Sequence, residues 1–171
     1  MQTAQGPRIV GPTDGKSGDL GSIGVRFMID GADTDEGFSL VEHPMPPRRL
    51  AAPLHRHTRE DEYSFVVEGR MGALLGDEVV YAEAGDLVFK PRDQWHTFWN
   101  AGDEQCRILE IIAPAGFEQF FARLSEAGGA AGPPDPEGLA ALSAEYGLEV
   151  DMASVPGLCE RFGVEFGPAQ S

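Results

Sequence analysis

Nine short segments rich in apolar residues fill the chain between Val25 and Ala113, and each is bounded by turn-forming residues. They run Val25–Ile29, Phe38–His43, Ala51–His57, Tyr63–Glu68, Met71–Leu75, Val79–Ala82, Asp86–Lys90, His96–Asn100 and Cys106–Ala113. Segments this short, with turn signals every eight to twelve positions, leave little room for helices and point to a sandwich or small barrel. Leu75-Gly-Asp-Glu-Val79 reads as a hairpin, with Gly76 and Asp77 able to take unusual backbone angles. Gly69 and Gly85 stand where strands end and a positive φ is needed, and Pro91 ends a strand because it has no N–H to donate.

The pattern changes after Pro114. Phe117, Phe120, Phe121 and Leu124 repeat at helical spacing, so a helix packing its aromatic face on the barrel or on a second subunit is expected. A small-residue, proline-containing linker, Gly128–Pro134, follows. Asp135-Pro136 then starts a second helix that stops at Gly147, and Ser154–Phe162 forms a last short one before Gly163. The expected organisation is an N-terminal arm over 1–22 ending in an edge strand, a β-barrel over 23–114, and a helical C-terminal extension over 115–171.

Three of the four histidines fall into one spaced pattern. His55 and His57 are two apart, so on a strand both face one way. Glu62 opens the next strand and His96 a later one. His55-x-His57-x4-Glu62-x6-Gly69, followed by Gly85-x5-Pro91-x-Asp93-x2-His96-x3-Asn100, resembles the two motifs of the cupin superfamily. The fifteen residues between Gly69 and Gly85 match the short spacer of compact bacterial cupins. The resemblance covers residues 55–100 directly. Arg49 stands where the first motif usually has glycine, and Asp93 where the second does. Asp enters the left-handed region at modest cost, so that turn survives.

The resemblance implies an all-β protein with C-terminal helices, a double-stranded β-helix (jelly-roll barrel). It also implies a metal centre made by His55, His57, Glu62 and His96. Three imidazoles and a carboxylate suit one divalent transition metal: Fe, Mn, Ni, Co, Cu or Zn, between which the sequence does not choose. Four ligands on an octahedral ion leave two positions for water, substrate or dioxygen. The motifs resemble most the quercetin dioxygenase-like group, in which the glutamate also acts as a base; Glu62 is then ligand and base, or ligand only. His43 lies outside both motifs and reads as a surface or hydrogen-bonded histidine.

Alternation puts Ser64 and Val66 on the face of Glu62, and Phe98 and Asn100 on that of His96. Ser64, Val66 and Phe98 are therefore expected to line a mostly apolar pocket for a small aromatic or enol-type substrate. A dioxygenase-type oxidoreductase is the leading expectation. A binding protein without turnover and a metal-assisted isomerase or decarboxylase stand as alternatives, because the fold hosts all three. The opposite faces, with Tyr63, Phe65, Val67, Thr97 and Trp99, are apolar too, so C-terminal helices or a partner in a homodimer must cover them.

A net charge of −15 argues against nucleic acid and anionic membrane surfaces as partners. No basic-plus-apolar leader and no spanning apolar run stand out, so a cytoplasmic location is expected. Cys106 and Cys159 are expected to be reduced. Arg48, Arg49, Arg56 and Arg59 crowd twelve positions, marking either an entrance for an anionic substrate or simple pairing with Glu60 and Asp61.

Overall fold

The computed structural model describes residues 6–128 and 135–168, so most of the expected 128–134 linker lies outside the described residues. Among the described residues, eleven strands form two antiparallel sheets. The first comprises β1 (Ser17–Asp19), β2 (Gly24–Ile29), β3 (Ser39–Met45), β5 (Asp61–Glu68), β8 (Leu87–Lys90) and β10 (Cys106–Ala113), in the order β1-β2-β3-β10-β5-β8. The second comprises β4 (Leu54–His57), β6 (Arg70–Leu75), β7 (Glu78–Glu83), β9 (His96–Asn100) and β11 (Leu148–Asp151), in the order β11-β4-β9-β6-β7. The helices are α1 (Glu118–Gly128), α2 (Pro136–Glu145) and α3 (Val155–Phe162). This is the jelly-roll arrangement expected of a double-stranded β-helix.

Side-chain alternation does most of the sorting. Along β10, Cys106, Ile108, Glu110 and Ile112 are buried, while the residues between them are half-exposed. Met45, Val66, Met71, Val88, Phe98 and Ile108 fill the middle of the barrel from both sheets. Every residue of β9 is buried because both its faces are covered. On the outward face, Trp99 stacks on Phe162 of α3 at 3.9 Å between ring centroids. The indole also lies flat against Gly72 on β6, where a Cβ would come within 2.2 Å of it. A side chain at residue 72 would push the tryptophan off the sheet.

Local geometry follows the turn residues. Gly76, at φ 60, and Asp77 join β6 to β7 where Leu75 pairs with Glu78. Asp93 sits at φ 66, so aspartate does take the left-handed position. Asn100 closes the second motif: its Nδ2 lies within 3.0 Å of the carbonyls of Met45, Pro46 and Glu104, and its Oδ1 accepts from the Gly102 amide. Asp135 caps α2 by accepting from the Gly138 amide.

Two strands had no strong apolar signal. β1 forms the edge beside β2 that was expected at the end of the arm. β11 was not expected: the C-terminal extension is not purely helical, and Leu148–Asp151 adds a strand to β4. Its Leu-Glu-Val-Asp is too short and too acidic to stand out against the α2 pattern before it. Both cysteines are free, Cys106 in the core. The arginine cluster is paired, though not with Glu60 and Asp61. Arg48 meets Asp103, Arg49 meets Glu165, Arg56 meets Glu149, and Arg59 donates to the Glu145 carbonyl. These residues pin loops to the barrel. Among the described residues, no helix is long and apolar enough to cross a membrane.

Candidate metal centre

Strand register brings the four ligand candidates together. β4 turns His55 and His57 inward, and His55 lies directly opposite His96 on β9. Glu62 reaches in from β5 in the facing sheet, where it pairs with Ile112 on one side and Lys90 on the other. One ligand atom from each of His55, His57, Glu62 and His96 falls within 4.8 Å of every other, and all four residues are buried.

The donor set fits a metal by an internal criterion. Nδ1 of His55 donates to the Pro53 carbonyl at 2.8 Å, and Nδ1 of His96 to the Gln94 carbonyl at 3.0 Å. Each ring therefore presents the Nε2 lone pair, the orientation that carbonyl partners impose on metal-binding histidines. Nε2 of His96 and Nε2 of His57 face Glu62 oxygens at 3.3 and 3.4 Å, yet neither makes a hydrogen bond. Buried polar atoms without partners are costly unless something else satisfies them. Burial lowers the pKa of His55 and of His96, so both are neutral, as ligands must be. Burial pulls His57 down as well, but the facing carboxylates of Glu62 and Glu60 outweigh it and raise its pKa to about 9. Without a metal, the centre draws in a proton to balance its charge.

Glu62 does not stand alone. Lys90, wholly buried, places Nζ 3.1 Å from Glu62 Oε2, 2.5 Å from Glu110 Oε1 and 4.5 Å above the Phe98 ring. Ser64 Oγ donates to Glu110 Oε2 at 2.5 Å. Burial disfavours the Glu62 anion, but His57 and Lys90 beside it hold the carboxyl well below its usual range. Burial raises Glu110 to about 7 against the pull of Lys90. Lys90 stays charged: the two carboxylates overcome the desolvation that would lower its pKa.

Aromatic residues border the centre. Phe117, just before α1, meets the His57 ring edge-on at 4.4 Å and stacks on Phe120 at 4.8 Å. Phe121 packs edge-on against His43 at 5.0 Å. The aromatic stripe is core, as expected, and Phe117 also borders the site through its contact with His57. His43 is buried and donates from Nδ1 to the Gly24 carbonyl; desolvation takes its pKa down to about 4. It is a hydrogen-bonded interior histidine, not a surface one.

Ser64, Val66 and Phe98 are buried on the interior side of β5 and β9. The interior is more polar than the expectation of an apolar pocket with few handles, because Lys90, Glu110 and His43 share it. Lys90 and Glu110 were overlooked, though both left a signal. Glu110 interrupts the run Ile108-Leu-Glu-Ile-Ile112 at the parity of the buried isoleucines, and Lys90 shares the parity of Val88. A charged residue at an inward position is itself informative.

Residues 42–112 match the cupin domain family. The chain is similar to the polyketide synthase CurC of Streptomyces cyaneus, at 27% identity over 113 residues that span 63% of this chain and 70% of that protein. It is also similar to the polyketide cyclase RemF of Streptomyces resistomycificus, at 30% identity with a TM-score of 0.54, over 64% of this chain and 80% of that one. KdgF from Halomonas sp. superposes with a TM-score of 0.59 over 67% of this chain and 99% of its own, at 15% identity, a likeness of fold alone.

Proposed function

The chain belongs to the cupin superfamily, and on that premise we propose that it is a mononuclear metal-dependent enzyme that cyclises an enolisable, polyketide-type substrate. The observation that carries this reading is the buried His55, His57, Glu62 and His96 set in a chain 30% identical to a polyketide cyclase. A divalent metal held there would supply Lewis acidity to a carbonyl or enol oxygen.

The chain's own residues would do the rest. Phe98, Phe117 and Phe121 offer flat apolar surface to an aromatic or partly cyclised substrate and keep water out. Glu62 is a ligand and not a base in this reading, because Lys90 at 3.1 Å stabilises its ionised form. An aldol-type ring closure forms one carbon–carbon bond, moves a proton from carbon to oxygen and, on dehydration, releases water. It consumes no oxidant.

The test is turnover of a poly-β-ketone by metal-loaded protein under nitrogen, followed by mass spectrometry. A product lacking one water is the expected result. An oxygen-inserting enzyme on the same substrate class is the second reading, favoured because a three-imidazole, one-carboxylate set also suits redox-active metals. Oxygen uptake with flavonols, diketones or catechols, and no anaerobic turnover, would replace the cyclase reading with it. Thermal stabilisation by these compounds without either reaction would leave a binding protein.

We also propose that the protein acts as a homodimer. α3 covers the outer face of the second sheet, but Phe65, Leu87 and Phe89 on the first, with Tyr81 nearby on β7, stay 38–56% exposed around the edge strand β8. An apolar edge of this kind invites pairing with a second copy. Light scattering at micromolar concentration is expected to give a dimer, and Phe89→Glu a monomer. A monomeric wild type removes the proposal.

A further inference from the structure

Inside the barrel, a lysine and a glutamate take positions that alternation reserves for apolar side chains. Lys90 shares its face of β8 with Val88, and Glu110 lies between Ile108 and Ile112 on β10. A buried ion pair is seldom more stable than a well-packed apolar pair of the same volume. Fold stability alone therefore does not account for them, and their position relative to the metal ligands does. Lys90 Nζ touches one oxygen of Glu62, and Glu110 holds the ammonium from its other side. Ser64 in turn fixes Glu110, directly across the β5–β10 ladder.

We propose that the Lys90–Glu110 pair sets how tightly the centre holds its metal, with the two residues pulling in opposite directions. This rests on the metal-centre reading above. Lys90 is a positioning residue acting through Glu62: its ammonium takes up part of the carboxylate's charge and repels a nearby dication, so it weakens binding and leaves the metal more electron-poor. Glu110 draws the ammonium away from Glu62 and offsets its charge, so it strengthens binding. A more electron-poor metal is a stronger Lewis acid, which is what activating a carbonyl or enol oxygen requires. The centre would thus give up affinity for acidity, and an apolar interior at these two positions would bind metal more tightly and activate oxygen less.

The sign of the effect tests the idea. Zn²⁺ affinity is measured by competition with a chromophoric chelator, at pH 8, where Glu110 is ionised, for wild type, Lys90→Met, Glu110→Gln and the double variant. Methionine keeps the lysine stem's packing on Phe98 and removes the charge. Lys90→Met is expected to bind at least as tightly as wild type, and Glu110→Gln at least about tenfold more weakly, the direction Coulomb's law gives for removing a negative charge from the surroundings of a dication. The double variant removes both charges and is expected within about tenfold of wild type. A purely structural pair would weaken all three, the Lys90→Met variant included, and that result overturns the proposal, as does no shift in either single variant. Where circular dichroism shows a single variant unfolded, the double variant decides: affinity within about tenfold of wild type supports the proposal, and weaker binding overturns it. A wild type that binds no Zn²⁺, Co²⁺ or Fe²⁺ removes the metal-centre reading itself. That failure is distinct from a wild type that binds and variants that move together.

Discussion

Purified protein is expected to carry about one divalent transition-metal ion per chain, and His57→Ala and His96→Ala almost none. Each substitution removes one of four donors whose atoms converge within 4.8 Å. The adjacent inward positions Phe98 and Val66 offer no donor in its place, and the Ser64 hydroxyl is engaged with Glu110. Plasma mass spectrometry of the three proteins is the measurement, and equal metal in all three would refute the assignment. The metal should also stabilise the fold, since the donors converge only in the folded barrel; free metal at 1,000 times Kd adds about 4 kcal/mol. Binding should tighten as pH rises. His57 holds its proton up to about 9 in the metal-free centre and must release it to become a ligand. Below that pH the proton competes with the metal, and above it the competition ends. Affinity that does not change between pH 6 and 8 would contradict this.

Trp99→Ala is the second large effect expected, and it concerns the opposite face of the same strand. The indole is 1% exposed, stacks on Phe162 and lies against Gly72. Truncation leaves a void that Gly72 has no side chain to fill. A loss of about 3–5 kcal/mol follows, large beside the roughly 5–15 kcal/mol total of a typical domain. α3 should detach early, since Phe162 loses its stacking partner. Urea unfolding gives the magnitude and limited proteolysis near α3 the location. A change below about 1 kcal/mol would show that the helix is held by other contacts. Metal stoichiometry in the folded fraction should stay near one, because His96 and Phe98 point to the other side of β9.

These two experiments also separate what the sequence carries plainly from what it hides. The inward histidines and Glu62 are legible because strand alternation is strict and each lies beside a turn residue that fixes the register, as Pro91 and Asp93 do ahead of His96. Trp99 was legible as outward-facing, but not its partner: Phe162 lies far along the chain, and no local pattern links them. Lys90 and Glu110 were hidden for a different reason. Their parity marks each as inward, but which groups they meet shows only once β8, β5 and β10 lie side by side in one sheet. The arginines between 48 and 59 were misjudged in the same way: their carboxylate partners Asp103, Glu149 and Glu165 come from distant loops and strands.

The pairing of β11 with β4 bears on how this protein could be shortened or fused. β4 carries two of the four ligand candidates, and its register with β9 consists of the single pair His55–His96. On its other side, β11 matches it residue for residue, Leu148 with His57 and Val150 with His55. A chain cut at residue 112, where the family match stops, would keep every ligand but leave the histidine strand with half its backbone groups unpaired. The recognisable module and the smallest independently stable piece thus have different boundaries, and a graft of this metal centre into another protein would have to include residues 148–151.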